Sequence, residues 1–195
     1  MCEHPFRWVQ VRNFLRDQDV RRLAREYPTE HFSASVSREG HYRLWDRSVI
    51  DHGDFVGPLS DLTPIWRELL DTLVSEEYRQ AIVNLTGADL DSCLLKVRLC
   101  RYGPGNWMLP HTDKPSRVVT QIIYLTEHWD PSWGGSLQIL NSPAPEDKVT
   151  ELAPEFNSTA MFVRSDTSWH AVTAVSPSAT DTRRTVLVQF VRDPE

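Results

Sequence analysis

The sequence predicts an α+β fold, with helices in the first half and strands in the second. Three observations carry this. Apolar residues recur at helical spacing before residue 90. Short β-branched and aromatic runs follow one another after it. Clusters of Gly, Pro, Asn, Asp and Ser separate those runs. Many short strands at such spacing suggest a sandwich or barrel. A double-stranded β-helix (a jelly-roll of cupin type) with supporting N-terminal helices fits. At 195 residues the chain reads as a single domain, residues 1–195, large enough to bury a sizeable core. A helical, lid-forming front would span 1–91 and the jelly-roll core 92–195.

Asp17 is the expected cap of a first helix, whose apolar residues Val20, Leu23, Ala24 and Tyr27 fall at i, i+3, i+4 and i+7. Pro28 ends it. Thr63 caps a second helix with Pro64 at its first position, burying Ile65, Leu69 and Leu73. A third starts at Ser75, places Tyr78, Ala81, Ile82 and Leu85 on one face, and stops at Gly87. Residues 30–62 are mixed and polar, with Tyr42, Leu44 and Trp45 as strand or lid residues. The expected strands are 93–102, 117–125, 136–140, 147–152, 159–164, 170–175 and 183–191.

Bulk properties exclude some classes. The formal net charge is −6, and no clustered basic stripe is visible, so no nucleic-acid partner is expected. The apolar runs are far too short to span a bilayer, so no membrane association is expected. The N-terminus lacks a basic start followed by an apolar core, which reads as no secretory signal. Three cysteines show no zinc-type pairing; Cys93 and Cys100 lie at odd separation on one strand and face opposite ways. A reduced cytoplasmic setting is expected.

The chemistry-bearing feature is His111-Thr112-Asp113, read with the distant His170. Two imidazoles and one carboxylate form the ligand pattern of a non-haem Fe(II) site, which leaves the opposite face of the metal open. The pattern is short, the chain has seven histidines, and His52-Gly53-Asp54 repeats the spacing. Context separates the two copies. His111 and Asp113 precede a long strand-like run, and at i and i+2 on a strand both would face one metal. His52 lies among polar and Gly-rich residues and reads as a loop histidine. His4, His31, His41 and His128 offer no geometric reason to be ligands. Gly134 and Gly135 read as a turn before a strand. Trp107 and Met108 would line a substrate mouth or pack in the core. Arg98, Arg117 and Arg164 would meet an anionic substrate or, more ordinarily, solvent.

From Leu95 to Val191 a series of segments occurs in a familiar order. They are Arg101-Tyr-Gly-Pro-Gly-Asn106, His111-Thr-Asp113, Arg117 through Leu125, Trp129-Asp130 and Gly134-Gly-Ser-Leu-Gln-Ile139. Pro154-Glu-Phe-Asn157, Met161-Phe162, His170-Ala-Val172 and Thr182 through Val188 follow. In these the chain resembles the Fe(II)/2-oxoglutarate oxygenases of the prolyl 4-hydroxylase group. The resemblance covers about half the chain; residues 1–90 match only in having leading helices. It implies Fe(II) held by His111, Asp113 and His170, with 2-oxoglutarate and O₂ as co-substrates and ascorbate as a stimulating reductant. It also implies a basic residue at the start of the last strand, pairing with the far carboxylate of 2-oxoglutarate.

Arg183 and Arg184 compete for that role. The family pattern favours Arg183, which would put Thr185, Leu187 and Gln189 inward and Val186, Val188 and Phe190 outward. The gap of 13 residues from His170 to Arg183 is longer than the family's usual one, and leaves Arg184 as the alternative. Tyr124 matches a family tyrosine that supports the same carboxylate, and Tyr102 matches another pocket tyrosine.

The resemblance implies a 2-oxoglutarate-dependent dioxygenase, foremost a hydroxylase of an unactivated C–H bond that releases succinate and CO₂. Cyclisation, epimerisation and desaturation share the same ligands. Halogenases of this kind replace the carboxylate by a small residue, so Asp113 argues against halogenation. The expected substrate is a small amino-acid-like or natural-product molecule. The alternatives are a prolyl or other residue of a polypeptide, or a non-catalytic cupin-like binding module.

Overall fold

The computed structural model describes residues 1–192. The last three residues of the expected core lie outside the described ones. In chain order the elements are β1 (Trp8–Arg12), α1 (Asp17–Arg25), β2 (Ser33–Val36), β3 (Tyr42–Asp51), β4 (Asp54–Phe55), α2 (Pro64–Val74) and α3 (Glu76–Thr86). There follow β5 (Cys93–Tyr102), β6 (Trp107–His111), β7 (Arg117–Tyr124), β8 (Leu137–Leu140), β9 (Lys148–Leu152), β10 (Ser158–Val163), β11 (His170–Val172) and β12 (Arg183–Arg192).

The strands form one antiparallel sheet that curls into a nearly closed jelly-roll, in the order β1-β10-β7-β12-β5-β3-β6-β11-β8-β9. β3 joins its two halves. Tyr42 and Arg43 pair with β6, while Trp45 to Ile50 pair with β5. The front is therefore not a purely helical layer: β1 extends the sheet at β10, and β3 is built into its middle. Both were hard to read because their side chains do not alternate cleanly. β1 is only half-buried, and β3 changes pairing partner along its length.

The last two helices begin where their signals lie. Ser75 accepts from the Tyr78 N–H, and Gly87 ends α3 with a φ of 64°. Thr63 is the N-cap residue of α2, but its hydroxyl makes no capping bond. In α1 the N-cap position falls to Arg16; Asp17 lies inside the first turn and pairs with Arg21 at 2.9 Å. On α3, Ile82 is buried while Ala81 and Leu85 are exposed.

The helices pack on the outer face of the β5, β7 and β12 half. Leu95, Val97, Leu99, Val186, Val188 and Phe190 meet Leu23, Trp66, Leu70 and Ile82 there. Tyr27, just past α1, stands at 5.4 Å and near right angles to Trp66. Its hydroxyl reaches the carbonyls of Cys100 and Thr185, both at 3.1 Å, tying the helical layer to two strands. The opposite face of those strands is free to build a cavity.

Candidate metal and co-substrate site

Between the two halves of the jelly-roll lies a cavity of 430 Å³. Strand alternation decides what enters it. Arg98, Cys100 and Tyr102 point inward from β5, Thr120 and Ile122 from β7, and Arg183, Thr185, Leu187 and Gln189 from β12.

His111 and His170 are direct partners across the β6–β11 pair, with ring centroids 4.2 Å apart. Ligand atoms of His111, Asp113 and His170 all lie within 4.8 Å of one another. His111 ends β6, and Asp113 sits two residues on, in the connection just past the strand and ahead of the turn at Pro115 and Ser116. The decoy is elsewhere: His52 occupies the turn between β3 and β4 with a φ of 51°, and pairs with Asp51 at 3.3 Å.

The surrounding hydrogen bonds prepare the three residues for a cation. His111 Nδ1 lies 3.0 Å from the Leu109 carbonyl and His170 Nδ1 2.9 Å from the Ser168 carbonyl. Each Nδ1 donates there, leaving the Nε2 lone pairs for a metal. Burial first, then the neighbouring His111, pushes the His170 pKa down to about 4, so its imidazole is neutral. Burial disfavours the Asp113 anion. His170, Arg117, the Thr120 hydroxyl and His111 outweigh that and hold the carboxyl below its usual range. Thr120 Oγ1 donates to Asp113 Oδ2 at 2.6 Å, and Arg117 donates to Oδ1. The donor set of two imidazoles and one carboxylate suits Fe(II).

Arg183 is 2% exposed, and its guanidinium lies 4.9 Å from the Tyr102 ring centroid and 5.0 Å from that of Tyr124. Among the described residues, Arg183 Nε and Nη2 and the Tyr124 hydroxyl are buried without a hydrogen-bond partner. Leaving such groups unmet costs about 1–3 kcal/mol each, and more when charged. A carboxylate of a bound acid satisfies them, so the residues present fit 2-oxoglutarate. Arg184 points the other way, to Asp181 at 3.0 Å and to the Ala24 carbonyl at 3.4 Å. A Cβ on Gly135 would stand 3.2 Å from Arg183 Cδ, so this glycine makes room for the arginine stem. Gly134 has a φ of 70°, and a Cβ there would collide with the Ala174 carbonyl.

One contributor was not anticipated, and others resolve between the alternatives the sequence left open. The unanticipated one is Thr120, although the alternation that turns Tyr124 inward also turns Thr120 inward. Arg98 and Arg117 line the cavity rather than standing in solvent, each about a quarter exposed. Arg164 donates to the Asp113 carbonyl at 3.2 Å. Met108 lines the mouth, whereas Trp107 donates to the Gly40 carbonyl at 3.3 Å and holds the β2–β3 hairpin. His41 stands exposed at the mouth, while His4, His31 and His128 are exposed. Among the described residues no helix is long and apolar enough to cross a membrane.

The chain is similar to several known proteins. Residues 97–190 match the family model of the 2OG-Fe(II) oxygenase superfamily. Prolyl 3-hydroxylase OGFOD1 of Xenopus laevis is 32% identical over 104 residues, 51% of this chain and 20% of that protein. The Mus musculus protein of the same name is 28% identical over 110 residues, 54% of this chain and again 20% of its own length. The match thus spans about a fifth of the length of these curated relatives. Two solved structures show the fold. A Pseudomonas putida prolyl-4-hydroxylase superposes with a TM-score of 0.69 at 21% identity, covering 96% of this chain and 93% of that one. A Trichoplax adhaerens prolyl hydroxylase, solved with a hypoxia inducible factor peptide fragment, gives 0.70 at 18% identity, covering 94% and 83%. The matched segment, residues 97–190, carries the convergent His111, Asp113 and His170 and the unpartnered Arg183, and it is this segment that is similar to the 2OG-Fe(II) oxygenase superfamily.

Proposed function

We propose that this chain is a 2-oxoglutarate-dependent dioxygenase that hydroxylates a prolyl or other residue of a polypeptide. The observation that carries the oxygenase reading is the buried, unpartnered pair Arg183 and Tyr124 in the same cavity as the His111, Asp113 and His170 cluster. A non-catalytic binding module has no use for both. With Fe(II), 2-oxoglutarate and O₂ bound, the site supplies oxidative decarboxylation to succinate and CO₂, coupled to oxidation of a substrate C–H bond.

The residues divide the work. His111 and His170 offer their Nε2 atoms and Asp113 an anionic ligand. Thr120 and Arg117 hold that carboxylate in place. Arg183 presents a planar fork to the far carboxylate of 2-oxoglutarate and the Tyr124 hydroxyl adds a donor, while Tyr102 flanks the guanidinium. Ile122, Leu137, Phe162, Val172 and Leu187 line the cavity with apolar surface that excludes water.

The polypeptide reading draws support from the names of the relatives, which are prolyl hydroxylases. The exposed apolar residues Tyr42 and Leu109 at the mouth also suit a partner larger than the cavity. A small amino-acid-like or natural-product substrate is the second reading. The fold is shared with SnoN, a non-heme alpha ketoglutarate dependent epimerase from nogalamycin biosynthesis, at a TM-score of 0.60 and 13% identity.

The test is succinate release from 2-oxoglutarate with Fe(II) under air, with and without proline-containing peptides. Succinate should form, rise with a peptide substrate, and vanish in His170→Ala. No succinate under any condition, or equal release without iron, sinks the oxygenase reading. Stimulation by free amino acids but not by peptides supports the second reading instead.

A further inference from the structure

The wall beside the cavity mouth is built from cations. Arg98, Lys114 and Arg117 line the cavity and also a second groove of 470 Å³ that runs alongside it. The groove continues past Lys96 and Arg192. Among the described residues five cations thus face one groove, and Asp51 is the one carboxylate lining it. The chain as a whole carries a formal charge of −6, so this cluster runs against its composition. It is assembled from three separate stretches on β5, the loop before β7 with its first residue, and the end of β12. No basic run in the sequence announces it.

The pairing within the protein leaves the groove positive. Lys96 meets Asp51 at 2.8 Å, Arg98 meets Asp46 at 2.9 Å, and Arg117 meets Asp113. Lys114 is exposed and makes no ion pair among the described residues. The Arg117 bond goes to Asp113 Oδ1, the oxygen that also faces His111 Nε2 at 3.9 Å. That bond uses one of the five guanidinium N–H donors, so Arg117 can hold Asp113 and still offer a donor to a second anion. The co-substrate does not account for these charges. Arg183 already serves it and is fully buried, whereas the Arg98 and Arg117 side chains are 30% and 23% exposed.

We propose that this groove receives an acidic segment of the polypeptide substrate. A carboxylate near the target residue is held by Arg98, Lys114 and Arg117 while the target side chain enters the cavity. The inference rests on the polypeptide oxygenase reading and names its substrate class. A ligand that reaches Lys96 and Arg192 as well must extend beyond the cavity, which a small acid does not. Partly buried guanidiniums bind carboxylates through two parallel hydrogen bonds, and the clustered charge steers an acidic chain toward the mouth.

The test uses fluorescein-labelled peptides of one length, each with a central proline flanked by Glu, Gln or Lys. Binding to the full chain, loaded with Fe(II) and 2-oxoglutarate under nitrogen, is read by anisotropy. The Glu peptide should bind about tenfold more tightly than the Gln peptide, as expected for hydrogen bonds to a charged group. That advantage should shrink as salt rises. The double variant Arg98→Gln/Lys114→Gln should bring the Glu peptide to the Gln level while 2-oxoglutarate affinity holds. Lys114→Gln alone, at an exposed position that does not threaten folding, should remove about threefold.

Equal binding of Glu and Gln peptides, or an advantage that survives the double variant, overturns the proposal. Retention of N-acetylglutamate or inorganic phosphate as tightly as the Glu peptide assigns the cations to a small anion and also overturns it. Succinate release measured in parallel separates the two readings. Succinate without acidic preference removes this inference and leaves the oxygenase standing, while acidic preference without succinate removes the oxygenase reading and, with it, the claim that the bound segment is a substrate's.

Discussion

The Thr120 hydroxyl donates to Asp113 Oδ2 at 2.6 Å, so the carboxylate of the candidate metal centre is held by the strand that follows it. Removing that donor without changing volume should free the carboxylate to rotate. Thr120→Val is therefore expected to weaken Fe(II) binding about 10- to 100-fold, the usual effect of losing a partner that orients a ligand. Anaerobic titration with Fe(II) measures it. Unchanged affinity would mean that Arg117 alone positions Asp113.

Arg183 and Arg184 are adjacent yet face opposite sides of β12. Arg183→Ala should raise the 2-oxoglutarate requirement by more than about 100-fold, since breaking a buried charge pair costs about 3–5 kcal/mol. Iron binding should change far less. Arg184→Ala loses a partly exposed ion pair with Asp181 and should change the requirement by less than about threefold. Saturation curves for succinate release compare the two, and a larger effect at Arg184 would reverse the assignment.

Among the described residues Asp113 supplies the only carboxylate of the cluster. Asp113→Ala should lose product formation and most of its iron. The wild-type chain should give no chlorinated product even in high chloride. Mass spectrometry under ¹⁸O₂ should place one labelled oxygen in succinate and, where the product is an alcohol, one in the product. A chlorinated product would overturn this.

Tyr27 links the helices to the jelly-roll through its ring against Trp66 and its hydroxyl between two strand carbonyls. Tyr27→Phe should cost about 1 kcal/mol, the net value of a buried hydrogen bond. Trp66→Ala should cost about 3–5 kcal/mol, because it empties a fully buried site. Urea unfolding followed by circular dichroism distinguishes them. Equal losses would show that the hydroxyl, not the packing, carries the helical layer.

Much of this molecule was legible in its residues. The run from Cys93 to Tyr102 is a strand over the expected span, and the expected strand at 183–191 is Arg183–Arg192. Their alternation sorted inward Thr185, Leu187 and Gln189 from outward Val186, Val188 and Phe190. Such patterns are local: each side chain's face follows from its position in the pleat. β1, β3 and β6 were not read in full, because half-buried or partner-switching strands leave no clean period.

Residue types and spacing determined the helices, most of the strands and the candidate ligands His111, Asp113 and His170. Tertiary structure alone decided that β3 would join the two halves of the sheet, and that His111 would pair with His170. It also gathered Lys96, Arg98, Lys114, Arg117 and Arg192 around one groove. The reason is physical. Periodicity records which face of a segment is buried, whereas pairing depends on closing long loops against chain entropy, a free energy spread over the whole chain.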